Sequence, residues 1–261
     1  MIGAVGSDEF GPPLMKGMQA DGIDVSGVKV VKDQTTGVAV IIVEESAGEN
    51  RILFNPGANF TLKPQDFMTP SSLGTPLPDL IIVQLEIPLD TVLQILKTAK
   101  QAGVDVLVNP APAVKLPEEV YEAITHLIVN ESEAAILTGR ETEDVEAEGF
   151  DWNVVTGEFL AKGVKNVVVT LGAKGAFFAS MHGNEKGTYV PASKASKVVD
   201  TTAAGDTFVG AYAVGVVRKM GSDRALTEED VKLACKAAGR TVEKQGAQSA
   251  IPWADEVERK P

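Results

Sequence analysis

Apolar residues along this chain follow two periods, and the switching between them marks its elements. Residues 36–44 (Thr-Gly-Val-Ala-Val-Ile-Ile-Val-Glu) are rich in β-branched side chains and predict a strand, with 51–54 as its hairpin partner across 47–50 and a second turn at 55–59. Ahead of them, Ser7 or Asp8 is placed to cap a helix running through Met18, with Pro12 and Pro13 tolerated in its first turn. From Pro78 onward, short apolar runs alternate with helical spacing. Residues 80–83 predict a fully buried strand, Leu89, Val92, Leu93 and Leu96 a helix, 104–108 and 127–129 two further strands, Trp152, Val155 and Phe159 a helix, and 167–171 another strand. The run 176–179 predicts a return strand, and a further helix begins after Thr227. Repeated strand, loop and helix imply an α/β fold with a mainly parallel sheet covered on both faces. Ligands of such sheets sit beyond the carboxyl ends of the strands.

One stretch concentrates the chemistry. Lys197, Val198 and Val199 predict the end of a strand, while Phe208, Ala211, Tyr212, Gly215 and Val216 mark one face of a helix. Between them, Asp200-Thr201-Thr202-Ala203-Ala204-Gly205-Asp206 forms a tight turn. Ala203, Ala204 and Gly205 carry almost no side chain, so their N–H groups at a helix mouth can reach an anion. A carboxylate at Asp206 suits a base that takes a proton from a hydroxyl attacking a phosphate. An isolated Asp here would be read as a helix cap; two aspartates bracketing three tiny residues favour the base.

Composition narrows the partners. The 261 residues, 44 % hydrophobic, suffice for one large core. Twenty-four Lys and Arg against 36 Asp and Glu give a net charge of −12, which argues against general binding to nucleic acid or anionic membrane. The single Cys235 excludes an internal disulfide and points to a reducing compartment, cytoplasmic or nuclear. No apolar run reaches the length of a membrane span, and Met1-Ile2-Gly3-Ala4 is unlike a signal peptide. The glycines at 3, 6 and 11 have the wrong spacing for a dinucleotide fingerprint, no strand is expected before them, and no Walker-type loop occurs.

The run Asp200-Thr-Thr-Ala-Ala-Gly-Asp-Thr-Phe208 resembles the C-terminal signature of the ribokinase (PfkB-type) sugar kinase family, in its ribokinase form. Gly3 to Gly11 resembles the family's Val-Gly-x-Asp-x-Phe-Gly segment, Gln84 to Pro88 its Gln-Leu-Glu-x-Pro, and Asn130 to Glu133 its Asn-x-x-Glu. The resemblance implies a three-layer sandwich around a mainly parallel sheet, with a small β-sheet lid at roughly 27–60 that closes over the sugar. It implies one domain over 1–261 whose N-terminal strand and Gly-Gly-Asn segment are missing, leaving the lid incomplete and its edge open for a homodimer.

In function it implies ATP-dependent phosphorylation of a sugar, D-ribose to D-ribose 5-phosphate, with Asp206 as base and Ala203, Ala204 and Gly205 as anion hole. Glu86 and Asn59, with Asp206, would bind sugar. Asn130, Thr170, Gly172, Lys174, Gly175, Gly205 and Cys235 would bind nucleotide, and Glu133 would hold Mg²⁺ through water. Asp200 with Thr202, Thr241, Lys244, Gly246 and Ala250 would hold a monovalent cation, K⁺. Read without the resemblance, Asn130 to Glu133 is a helix start with acids in its first turn, Gly172 and Gly175 make a hairpin, and Cys235 is a packed thiol. A non-catalytic nucleotide-binding remnant or gene-model fragment, and a related sugar or nucleoside kinase, stay open as alternatives.

Overall fold

A computed structural model describes residues 1–44, 49–219 and 226–258 of the chain. The chain divides into two compact units, Met1–Pro78 with Leu85–Ala102, and Asp79–Gln84 with Gly103–Pro261.

The first unit holds β1 (Ile2–Gly6), α1 (Gly11–Ala20), β2 (Gly27–Val31), β3 (Val38–Glu44), β4 (Glu49–Asn55) and α2 (Leu89–Ala102). The glycine-containing opening, given no element of its own by the sequence pattern, is itself β1: Ala4 and Val5 are buried and the strand pairs in parallel with β2, Ile2 opposite Gly27. The small strands therefore make two separate ribbons, β1–β2 and the antiparallel β3–β4, where Val38 faces Asn55 and Glu44 faces Glu49. Glu49 and Asn50, expected in the hairpin turn, belong to β4; Ala47 and Gly48 lie outside the described residues.

Neither Ser7 nor Asp8 is the N-cap of α1; that position falls to Phe10, without a side-chain hydrogen bond, and Asp8 binds around it instead. It accepts the Gly11 N–H at 3.2 Å, but its shortest hydrogen bonds come from Thr36, the N–H at 2.7 Å and the hydroxyl at 2.6 Å. The Thr36 hydroxyl oxygen accepts from Gly6 N–H at 3.0 Å, so one carboxylate joins the end of β1 to the start of β3. Those bonds hold the Asp8 carboxyl below its ordinary range. On α2, Val92, Ile95, Leu96 and Ala99 are buried. Two threonines of the same helix, also buried, donate to loop carbonyls, Thr91 to Leu62 at 3.0 Å and Thr98 to Phe67 at 2.6 Å.

The second unit holds β5 (Leu80–Val83), β6 (Asp105–Val108), β7 (His126–Asn130), α3 (Glu131–Thr138), α4 (Thr142–Glu146), α5 (Trp152–Ala161), β8 (Asn166–Thr170), β9 (Gly175–Ser180), β10 (Asn184–Pro191), α6 (Ala204–Val217), α7 (Glu228–Thr241) and α8 (Ala254–Glu258). Its sheet runs in the order β10-β9-β8-β7-β6-β5, with β5 to β8 parallel and β9 antiparallel to both its neighbours. Alternation decides which helices each face receives. Leu107, Ile128, Val168, Phe178 and Val190 pack against Phe208, Val209, Tyr212 and Ala213 of α6 and Val231, Ala234 and Cys235 of α7. Each large apolar side chain so buried contributes about 1.5–3 kcal/mol relative to exposure. The alternate positions Leu127, Val129, Val167 and Val169 point to the opposite face and are fully buried too; α5 packs against β8 and β9.

Two expectations change here. β5 is not fully buried: among the described residues it ends the sheet, with a neighbour on one flank only, and Ile82 is 40 % exposed. Residues 197–199 form no strand, and Val198 is 69 % exposed. Their β-branched side chains find no strand to pair with, and the N–H groups of Val199 and Asp200 go instead to the carbonyl of Val242, at 2.8 and 3.3 Å.

Candidate functional site

A cavity of about 830 Å³ opens in the second unit, where the carboxyl ends of β6, β7 and β8 meet the first turn of α6 and one side of α7. Asn109, Asn130 and Thr170 follow or end those three strands and all line it, as do Ala203, Ala204, Gly205 and Asp206.

The turn into α6 shapes one wall. Ala203 adopts a left-handed conformation, φ +61°, which costs a non-glycine residue on the order of 1–3 kcal/mol. Ala204 N–H donates to Thr201 O at 3.2 Å and Thr207 N–H to Ala203 O at 2.9 Å. Among the described residues, the N–H groups of Gly205 and Asp206 have no acceptor, so the open donors of this turn include Asp206's own amide, whereas that of Ala204 is engaged. The Asp206 side chain is exposed and accepts no hydrogen bond from the described residues.

Asn130 and Glu133 form a reciprocal cap on α3. Asn130 Oδ1 accepts from Glu133 N–H at 2.8 Å and Glu133 Oε2 accepts from Asn130 N–H at 2.8 Å. Burial raises the Glu133 carboxyl above its ordinary value, against the lowering effect of the Asn130 N–H. Thr170 donates to Val129 O at 3.3 Å, bracing the ends of β8 and β7. The loop after β8 turns through Gly172 at φ +53° and Gly175 at φ +115°, and both line the cavity. Lys174, between them, is not a lining residue: its ammonium pairs with Glu131 at 3.2 Å, and its carbonyl accepts from the Tyr189 hydroxyl. Cys235 lines the cavity from α7, and burial pushes its thiol up to about 11.

The proposed cation ligands are partly brought together. Asp200 accepts from Thr202 N–H and Gly246 N–H, each at 2.9 Å, and these bonds hold its carboxyl below the usual range. Each carboxylate oxygen keeps a further lone pair, the kind of oxygen donor a hard cation takes. The Thr241 carbonyl accepts from Lys244 N–H at 3.1 Å, Lys244 Nζ pairs with Glu256 at 2.9 Å, and Ala250 is fully buried. Among the described residues no group of three His, Cys, Asp or Glu side chains is placed to hold a metal ion. Asn59 and Glu86 belong to the first unit, Asn59 in the 3₁₀ turn Gly57–Thr61 and Glu86 exposed between β5 and α2.

Sequence reasoning passed over Lys194, Ala238, Gly239 and Val242, all of which line the cavity. Lys194 lies in an aperiodic run, Ser-Lys-Ala-Ser-Lys, with nothing local to say where it folds. Gly239 did carry a signal: an isolated glycine inside a helix commonly marks a close approach. A Cβ there would stand 3.3 Å from Ser193 O.

Comparison with known proteins gives consistent matches. A profile of the pfkB family carbohydrate kinases matches residues 1–254. The ribokinase of Schizosaccharomyces pombe is 40 % identical over 259 residues, covering 99 % of this chain and 78 % of the relative. A solved ribokinase of Arabidopsis thaliana, complexed with ribose and ATP, superposes with a TM-score of 0.83 at 30 % identity, covering 98 % of this chain and 79 % of the other. A ribokinase of Cryptococcus neoformans in complex with ADP superposes with a TM-score of 0.78 at 29 % identity, covering 98 % and 81 %.

Proposed function

The chain belongs to the pfkB family of carbohydrate kinases, and on that premise we propose that it transfers the γ-phosphoryl group of ATP to the primary hydroxyl of D-ribose, giving D-ribose 5-phosphate and ADP. The observation that carries this reading is the exposed carboxylate of Asp206, without a partner among the described residues, standing beside the similarly open N–H groups of the α6 first turn, in a cavity at the strand ends.

In this reading Asp206 takes the proton of the attacking hydroxyl, and the amides of Ala203, Gly205 and Asp206 receive negative charge on the transferred group. The attacking oxygen bonds to phosphorus as the bond to the ADP oxygen breaks. Asn130, Thr170, Gly172, Gly175 and Cys235 line the space for the nucleotide. Lys174 would come to the nucleotide only by leaving Glu131, with which its ammonium pairs. Glu133 would reach Mg²⁺ through water, and Asp200 with carbonyls at 202, 241, 244, 246 and 250 would hold K⁺; bound Mg²⁺ would neutralise charge on the phosphates. Glu86 and Asn59 would bind sugar from their own unit. The two units are read as one kinase domain with residues 27–60 as its lid. The same reading carries a homodimer through the small strands, where Val40, Leu53 and Phe54 are exposed.

A coupled assay of ADP release with ATP, Mg²⁺ and K⁺ tests the proposal over ribose, fructose, adenosine and no sugar. Ribose-dependent turnover that outpaces the other acceptors supports it. ADP release that no sugar stimulates overturns it and favours a nucleotide-binding remnant.

A further inference from the structure

Residues 192–199 run irregularly from β10 to the α6 turn, and Val242 and Glu243, just past the C-terminal end of α7, hold them at two places. Ser196 N–H donates to Glu243 Oε1 at 2.6 Å. The N–H of Val199 donates to Val242 O at 2.8 Å. At Gly239 the helix offers only backbone to Ser193, whose carbonyl oxygen would lie 3.3 Å from any Cβ built there. Glu243 is itself oriented by Arg240, whose guanidinium donates to Oε2 at 3.3 Å, and its side chain is 16 % exposed.

Lys194 sits two residues before the held Ser196 and directly after Ser193, which lies against Gly239. It lines the cavity, is exposed, and has neither hydrogen bond nor ion pair among the described residues. The cavity's other charged lining residues are acids: Glu131, Glu133, Glu146 and Asp206. A polyanionic ligand entering there meets several carboxylates, so where the lysine stands matters to its affinity.

We propose that Glu243 is a positioning residue: by fixing Ser196 against α7 it holds Lys194 at the cavity, where the ammonium attracts the phosphates of a nucleotide. The inference rests on reading the cavity as a nucleotide site. Gly239 serves the same end by letting the segment lie close to the helix.

Calorimetric titration of the full chain with ATP tests it. Glu243→Ala is expected to weaken ATP binding about tenfold, as loss of one charge-assisted hydrogen bond would. Glu243→Gln keeps an acceptor oxygen for Ser196 N–H and should recover most of the affinity. Lys194→Ala should weaken binding to a similar extent, the double variant should be no weaker than either single one, and all these losses should shrink as salt is raised. A general packing defect would not show that salt dependence or that failure to add. Wild-type chain that binds no ATP overturns the nucleotide reading and this inference together. Wild-type chain that binds ATP while Glu243→Ala binds it equally well, or losses that add in the double variant, overturn this inference alone. Should Glu243→Ala not fold, Lys194→Ala decides, since unchanged affinity there removes the purpose of the clamp.

Discussion

Asp200 and Gly246, 46 positions apart, meet through a 2.9 Å hydrogen bond from the glycine N–H to the carboxylate. Gly246 has φ +102°, and a Cβ on it would stand 2.6 Å from Ser249 Oγ, so a glycine best supplies that amide. The bond ties the turn before α6 to the loop after α7, the two segments from which a cation site is proposed.

Asp200→Asn is expected to lower stability at neutral pH, because an amide side chain has one acceptor oxygen for two N–H donors. The hydrogen bonds lower the folded carboxyl below its unfolded value, so their contribution is present above the ordinary carboxylate range and lost as pH falls through the folded value. Denaturant midpoints of the two chains should therefore differ at pH 7 and converge in strong acid.

Asp206→Asn should bind ATP as the wild type does and lose phosphoryl transfer by roughly 10²–10⁴-fold. Calorimetry and the coupled assay together check it, and unchanged turnover would remove Asp206 from the base's role.

His126 Nδ1 lies 2.8 Å from the Tyr212 hydroxyl, and both side chains are buried. Burial depresses the imidazole to about 4. The unfolded chain then takes up the proton first as pH falls below about 6.5, so this histidine makes stability decline between pH 6.5 and 4, by up to about 3 kcal/mol. Tyr212→Phe strands the ring nitrogen and should cost about 1–3 kcal/mol at pH 7 by urea denaturation.

Gly175→Ala should destabilise the chain by more than about 3 kcal/mol and weaken ATP binding with it. Its Cβ would lie 2.1 Å from Val190 O at φ +115°, a clash with backbone that no rotamer change relieves. Gly172→Ala meets nothing within 4 Å and, despite φ +53°, should cost less; thermal midpoints of the two variants order them.

The alternating apolar runs of 104–108, 127–129 and 167–171 were enough to place the central strands, because a buried parallel sheet needs near-continuous branched side chains. The spacing of Phe208, Tyr212 and Gly215 was enough to place α6, since one face of a helix has to be apolar to pack. The same local rules failed at 197–199, where β-branched residues have no partner strand, and at 2–6, where a short apolar run becomes a strand only because β2 lies beside it.

Asp206 and its small neighbours were legible in the sequence because their chemistry is local: tiny residues and an acid at a helix start need no distant contact to be noticed. Lys194, Gly239 and Glu243 were not, because their relationship exists only after residues some 47 positions apart are brought to one place. Sequence alone determined the α/β class, the order of its central elements and the acid at the turn. Tertiary structure decided which backbone amides stay open, which lysine faces the cavity and which is spent on Glu131, since hydrogen-bond partners and charge pairs are settled by proximity in space rather than along the chain.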